Sequence, residues 1–78
     1  MIVVTGSAGF IGSCLVSELN YLGYHNLILV DDFSNQIKNR NLKKCKFYKK
    51  IDRNHFIDWF NNNYRNISFL FHLGARTD

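Results

Sequence analysis

Gly6-Ser7-Ala8-Gly9-Phe10-Ile11-Gly12 sets three glycines at a spacing suited to gripping a diphosphate. Side chains at Gly6 or Gly9 would stand where a phosphate has to approach. A helix starting here aims its free N–H groups and the positive end of its dipole at the anion. Asp31, 19 residues beyond Gly12, is the second informative group. A carboxylate ending a second strand can accept two hydrogen bonds from ribose hydroxyls. Glycine loop and acid together describe a dinucleotide site, with a ligand-free tight turn and a solvent-facing acid as the plainer alternatives. The spacing Gly-x-x-Gly-x-x-Gly lacks the Lys-Ser/Thr pair of a P-loop, which disfavours nucleoside triphosphate hydrolysis. Ser7, Phe10 and Ile11 are expected beside the diphosphate, with backbone N–H groups supplying much of the contact.

The charge pattern leaves the choice between NAD and NADP open. Asp31 and Asp32 would repel a 2′-phosphate, which favours NAD. Lys38 and Arg40 follow on the next loop and could neutralise that phosphate, which favours NADP. Opposed unit charges about 4 Å apart are worth ~1–4 kcal/mol at surface dielectrics, enough to carry either outcome.

The elements that must position these groups can be read from hydrophobic periodicity. Residues 2–5 form an unbroken apolar run, as expected of a parallel strand covered on both faces. Residues 10–22 read as a helix, with Ile11, Leu15, Leu19 and Leu22 placed to pack on the sheet and Gly23 as its stop. Residues 27–30 read as a second buried strand ending at Asp31-Asp32. Residues 33–45 are polar and basic and read as a long loop. Residues 46–48 suggest a short strand. Asp52 can cap a helix over 53–64, with Phe56, Phe60 and Tyr64 on one face and Ile57 and Trp59 flanking. Ile67 to Leu73 is the last predicted strand. Strands alternating with helices predict a parallel sheet with right-handed crossovers.

Seventy-eight residues make at most one small domain, which buries only about 60–65% of its unfolded surface. Apolar residues, 46% of the chain, suffice for a core. No helix covers the last strand, so one sheet face is expected to lie bare, as in the N-terminal piece of a longer protein. No stretch has the length of a membrane span, and the start lacks a basic region ahead of an apolar one, so a soluble, non-secreted protein is expected. Cys14 and Cys45 fit no metal or redox spacing and read as reduced thiols of a cytosolic protein, Cys14 as a buried helix residue. The net charge is +4, and eight of the ten Lys and Arg fall between Lys38 and Arg53. Such a block can mark a polyanion partner, but a solvated loop face is the simpler reading. The aromatics lie on a helix and the cations on a loop, whereas single-strand binding needs them interleaved.

Other polar residues carry less. Asp52-Arg53 suits an N-cap and a surface cation as well as adenine or phosphate contacts. His72 reads as a strand residue satisfied by a hydrogen bond, and the small residues of His72-Leu73-Gly74-Ala75 allow a cofactor to come close. His25 and His55 are isolated, and no histidine pair has metal-ligand spacing, so no metal is expected.

Val4-Thr5-Gly6-Ser7-Ala8-Gly9-Phe10-Ile11-Gly12-Ser13 closely resembles the opening of the extended short-chain dehydrogenase/reductases, the NAD-dependent epimerase/dehydratase family. Phe71-His72-Leu73-Gly74-Ala75 resembles their fourth-strand motif, usually His-Leu-Ala-Ala. Within that family the chain looks most like the N-terminus of the branch that epimerises ADP-glycero-manno-heptose at C6. Met1 directly on the strand, Asp31-Asp32-Phe33-Ser34 with Lys38 and Asn41-Leu42 following, and Asp52-Arg53 carry that likeness. It covers all 78 residues but about a quarter of such an enzyme.

The resemblance implies the N-terminal β-α-β-α-β part of a Rossmann doubly wound parallel sheet. It implies that bound NADP or NAD takes hydride from C6 of the heptose and returns it to the other face of a transient ketone, with no net redox. By position, Phe10, Ile11, Asp31, Asp32, Lys38, Arg53, Leu73, Gly74, Ala75 and Arg76 match cofactor contacts of the family, joining Gly6, Gly9 and Gly12 of the loop. The family commonly uses NADP and often carries Asn where this chain has Asp32. Its catalytic Tyr-x-x-x-Lys pair would lie downstream, so no catalytic residue falls in these residues and the isolated piece should not turn over. The expected whole is a cytoplasmic homo-oligomer acting on ADP-heptose in lipopolysaccharide core synthesis, without nucleic acid or membrane. A UDP-hexose 4-epimerase, a nucleotide-hexose dehydratase and a non-catalytic dinucleotide sensor are the alternatives.

Overall fold

The wholly apolar runs at residues 2–4 and 27–30 become the two central strands of a four-stranded parallel sheet, as a computed structural model describing residues 1–73 shows. The strands are β1 (Ile2–Thr5), β2 (Leu27–Asp31), β3 (Lys49–Asp52) and β4 (Phe69–His72), in the spatial order β3-β2-β1-β4. The helices are α1 (Phe10–Tyr21), a single turn α2 (Gln36–Asn39) and α3 (Phe56–Asn63). The first three strands step outward in one direction, and β4 returns to the far side of β1. This is a Rossmann-like α/β arrangement whose order reverses between β1 and β4, where a crevice opens at the strands' carboxyl ends. Gly74, Ala75 and Arg76 lie outside the described residues.

Alternate side chains of each strand feed opposite faces. Ile2, Val4, Leu27 and Leu29 meet Val16 and Leu19 of α1, with Ala8 and Leu42 in the same cluster. Val3, Ile28, Val30 and Ile51 form the other core, packed by Phe56 and Trp59 of α3. On β4, Phe69 and Leu70 stay 63% and 47% exposed, so the exposed apolar surface lies on both sides of this edge strand and not on one whole sheet face as expected.

Several sequence expectations are corrected. On α1, Leu19 and half-buried Leu15 pack on the core as expected, but the buried face continues through Gly12, Ser13 and Val16, while Ile11 and Leu22 are exposed and Cys14 faces solvent. The rotation has a local cause. A Cβ on Gly12 would overlap the Gly6 carbonyl oxygen and lie 2.8 Å from its carbon and 2.9 Å from Ser7 Cα. That close approach turns the Gly12–Val16–Leu19 row inward, whatever the periodicity of the larger residues suggests.

Residues 33–45 are not loop throughout. The Asn35 side chain accepts from the N–H groups of Ile37 and Lys38 at 2.9 and 3.1 Å and starts α2. A 3₁₀ turn at Arg40–Leu42 follows, pinned by buried Leu42. The Asn20 side chain clips this segment to the end of α1, accepting from Lys46 N–H at 2.6 Å and donating to its carbonyl at 2.9 Å.

The third strand falls three residues later than expected. Ile51, the buried residue of Lys49–Asp52, pairs with Val30 and sets the register, while Lys49 and Lys50 stay exposed on this edge. Asp52 caps a 3₁₀ turn at Arg53–His55 through Asn54 N–H at 2.9 Å, and the α-helix proper begins at Phe56. Phe56 and Trp59 reach the sheet; Tyr64 is half exposed.

Candidate functional site

The glycine loop joins β1 to α1 and is tied down from beneath. Gly6 and Ser7 donate their N–H groups to the Val30 carbonyl at 2.8 and 3.3 Å, and Gly9 N–H reaches back to Gly6 at 3.2 Å. Gly6 has φ 69°, the left-handed region that glycine adopts without strain. Gly9 differs: its backbone is extended (φ −70°, ψ 172°), and an added Cβ would find only the Gly6 oxygen, at 3.5 Å. Nothing in the fold demands glycine there, so its bare face matters for what approaches from outside. Gly12 serves the packing of α1 on the loop.

The start of α1 is left open. No side chain caps its first turn among the described residues and no acid sits in it, whereas Asn35 and Asp52 cap the helical turns they precede. The first N–H groups of a helix have no partner inside it, so those at Phe10, Ile11 and Gly12 are free to hold an anion. The Phe10 and Ile11 side chains stand exposed beside them. A diphosphate fits this cradle. Ser7 does not join it as expected: its side chain is fully buried, with its hydroxyl directed at the Val30 carbonyl.

Asp31 faces inward beneath the loop. One carboxylate oxygen accepts Ala8 N–H at 2.9 Å, and the other accepts Asp32 N–H at 2.6 Å and lies 3.5 Å from Lys38 Nζ. The carboxylate, 8% exposed, is a staple between the end of β2 and the glycine loop. Asn41 adds a second tie by donating to the Ala8 carbonyl at 2.9 Å. Asp32 faces out, 44% exposed, with Arg53 Nη2 at 4.0 Å. Hydrogen bonds from the Ser34 hydroxyl and backbone N–H hold the Asp32 carboxyl below the usual carboxylate range, with Arg53 and Lys38 adding to the effect.

At the reversal of strand order, Thr5 and His72 stand opposite each other. Thr5 Oγ1 lies 2.7 Å from His72 Nδ1 and accepts Leu73 N–H at 3.2 Å. The hydroxyl's single proton has two acceptors in range, Nδ1 and the Phe71 carbonyl at 3.4 Å. Which of Thr5 Oγ1 and His72 Nδ1 donates follows from the imidazole tautomer, and the hydroxyl can serve either way. A cleft of about 300 Å³ opens here, lined by Thr5, Gly6, Asp31, Arg53, Phe56 and His72. A second hollow, about 460 Å³, sits at the strands' amino ends around Met1, Tyr24 and Phe69, remote from the glycine loop.

The fold therefore brings Gly6, Gly9, Phe10, Ile11, Gly12, Asp31, Asp32, Lys38, Arg53 and Leu73 to one end of the sheet. Thr5 and Asn41 join them, although the sequence pointed to neither as a site residue. Both stand in the segments that carry the family likeness, but nothing in their local pattern marked a role. Among the described residues no cluster of potential metal ligands occurs and no helix is long and apolar enough to cross a membrane.

Comparison with known proteins is consistent with this geometry. The model of the NAD dependent epimerase/dehydratase family matches residues 2–77. The chain is 42% identical to the ADP-L-glycero-D-manno-heptose-6-epimerase of Brachyspira hyodysenteriae, over 100% of this chain and 26% of that protein. It is 38% identical to the protein of that name from Fusobacterium nucleatum, over 96% of this chain and 23% of the relative. Among solved structures, a UDP-glucose 4-epimerase from Thermotoga maritima, crystallised with UDP-glucose, superposes with a TM-score of 0.61. It shares 33% identity, over 97% of this chain and 24% of that one. The chain thus spans about a quarter of the length of the relatives it matches.

Proposed function

The chain belongs to the NAD dependent epimerase/dehydratase family, and from that premise we propose that it is the cofactor-binding part of a nucleotide-sugar epimerase. The observation that carries this reading is the uncapped start of α1 beneath an open Gly9, stapled in place by Asp31.

In this reading Gly6, Gly9 and Gly12 shape the cradle, and the backbone N–H groups of Phe10, Ile11 and Gly12 hold the diphosphate. Asp31, Asp32, Lys38 and Arg53 attend the adenosine side, at the end of β2. Leu73, Gly74, Ala75 and Arg76 attend the nicotinamide half, beyond β4. A nicotinamide held there supplies a reversible hydride acceptor. The chain's own contribution is to orient that group: Thr5 holds His72 and Leu73 in register, and the loop leaves the phosphate-facing amides open. Proton transfer to and from the sugar belongs to residues outside this chain.

The finer reading is inversion at C6 of an ADP-linked heptose through a transient ketone, in a cytoplasmic homo-oligomer serving lipopolysaccharide core synthesis. The names of the relatives at 42% and 38% identity support it. A UDP-hexose 4-epimerase is the second reading, favoured by the Thermotoga maritima neighbour. Incubating the full-length protein with ADP-heptose and, separately, UDP-glucose separates the two. Inversion at C6 of the heptose is expected. An unchanged heptose with interconversion of UDP-glucose and UDP-galactose would transfer the assignment to the second reading, and turnover of neither would leave the non-catalytic binding module.

A further inference from the structure

We propose that Asn41 is a positioning residue that sets the orientation of the Ala8–Gly9 peptide, and with it the amides that face the diphosphate; the inference rests on the dinucleotide reading above. Asn41 lies 33 residues beyond Ala8, in the 3₁₀ turn between α2 and β3, yet its side-chain amide donates to the Ala8 carbonyl at 2.9 Å. The N–H of the same peptide, that of Gly9, donates to the Gly6 carbonyl at 3.2 Å. The peptide before it is held by Asp31, which accepts Ala8 N–H at 2.9 Å. The Ala8–Gly9 unit is thus gripped at both ends, and the shorter grip comes from Asn41.

Gly9 makes such a grip necessary. Without a Cβ it resists neither sign of φ, so nothing in the residue itself fixes the peptide ahead of it. Its backbone, φ −70° and ψ 172°, is selected by what holds that peptide. Freed at its carbonyl, the peptide would keep only the longer bond to Gly6 and could tilt. The N–H groups of Phe10, Ile11 and Gly12 follow directly and would tilt with it. The segment carrying Asn41 is anchored to hold it in place. Asn35 caps α2, Asn39 donates to the Phe33 carbonyl at 2.6 Å, and Leu42 is buried in the same cluster as Ala8.

Titration of the full-length protein with NADH, and displacement of NADH by ADP, test this without turnover. Asn41→Ala, and Asn41→Leu, which is close in size but has no donor, should each weaken both ligands about fivefold, the worth of one neutral hydrogen bond. Asn20→Ala is the control. It removes both bonds that clip Lys46, at the other end of the same segment, to α1, and it leaves the glycine loop untouched. It should lower the urea midpoint with both affinities at the parental value. Parental affinity in Asn41→Ala would overturn the assignment. So would binding restored in Asn41→Leu, which would make packing the cause, or equal weakening by Asn20→Ala, which would make general stability the cause. Weaker NADH with unchanged ADP would overturn it too, by moving the effect away from the diphosphate. A parent protein that binds neither ligand would instead overturn the dinucleotide reading beneath it.

Discussion

Gly9 and Gly12 are both glycines of one loop, yet alanine at each should do opposite things. At Gly12 the new methyl would overlap the Gly6 carbonyl oxygen and sit 2.8 and 2.9 Å from two further backbone atoms. Backbone cannot swing aside as a side chain can. Overpacking of this kind costs roughly 1–3 kcal/mol, against which the better helix propensity of Ala returns ~1 kcal/mol. Because all three close atoms are backbone, the upper part of that range, about 2–3 kcal/mol, applies here, so a net loss of about 1–2 kcal/mol is expected, read as a lower urea midpoint. At Gly9 the backbone is already in a region open to any residue, and the added Cβ meets a single atom at ordinary contact distance, 3.5 Å. Stability should stay within about 0.5 kcal/mol, the small entropic gain of losing a glycine offsetting the poorer N-cap. The methyl would instead stand in the mouth of the cradle. Displacing the ligand from one charge-assisted hydrogen bond removes about 1.5–3 kcal/mol, or roughly 10–100-fold in Kd. Urea unfolding and NADH titration on each variant of the full-length protein resolve the pair. If Gly9→Ala binds NADH like the parent, the opening above α1 is not where phosphate approaches. If Gly12→Ala is as stable as the parent, the close approach does not govern the rotation of α1.

Asp31→Ala removes the acceptor for two backbone N–H groups in a buried setting, so a stability loss of about 1–3 kcal/mol should accompany weaker cofactor binding; weaker binding at parental stability would point to direct ribose contact instead. Thr5→Val keeps the shape of a buried side chain but deprives His72 Nδ1 and Leu73 N–H of their shared partner. Chemical denaturation should show about 1 kcal/mol lost, and parental stability would argue against the Thr5–His72 bond. Burial pushes the Cys45 thiol up from its ordinary value, so near pH 8 less of it is thiolate, whereas Cys14 is exposed. Iodoacetamide should therefore label Cys14 first, as followed by peptide mass mapping; equal rates would place Cys45 in solvent.

Local chemistry along the chain was enough to specify the alternation of strands and helices, the parallel sheet and the glycine loop at its head. Each of these depends on near neighbours: an apolar run such as Ile28 to Val30 has to be buried, and a glycine before a helix leaves its amides open. Asp31 was legible for the same reason, as an acid ending a strand. Where a rule compared residues along one element only, it misplaced them. The contact of Gly12 with Gly6 and Ser7 sets the inward face of α1, so that of the expected row Leu15 and Leu19 pack while Ile11 and Leu22 turn out. The position of β3 follows from Ile51 pairing with Val30, and the helical turns after Phe33 from Leu42 and Asn41 finding partners across the fold. The division of labour between Asp31 and Asp32 belongs here too. Two adjacent carboxylates are equivalent in a sequence, and only the position of Ala8 N–H above one of them, brought there by the parallel pairing of β1 with β2, turns that one into a buried staple and leaves the other to solvent.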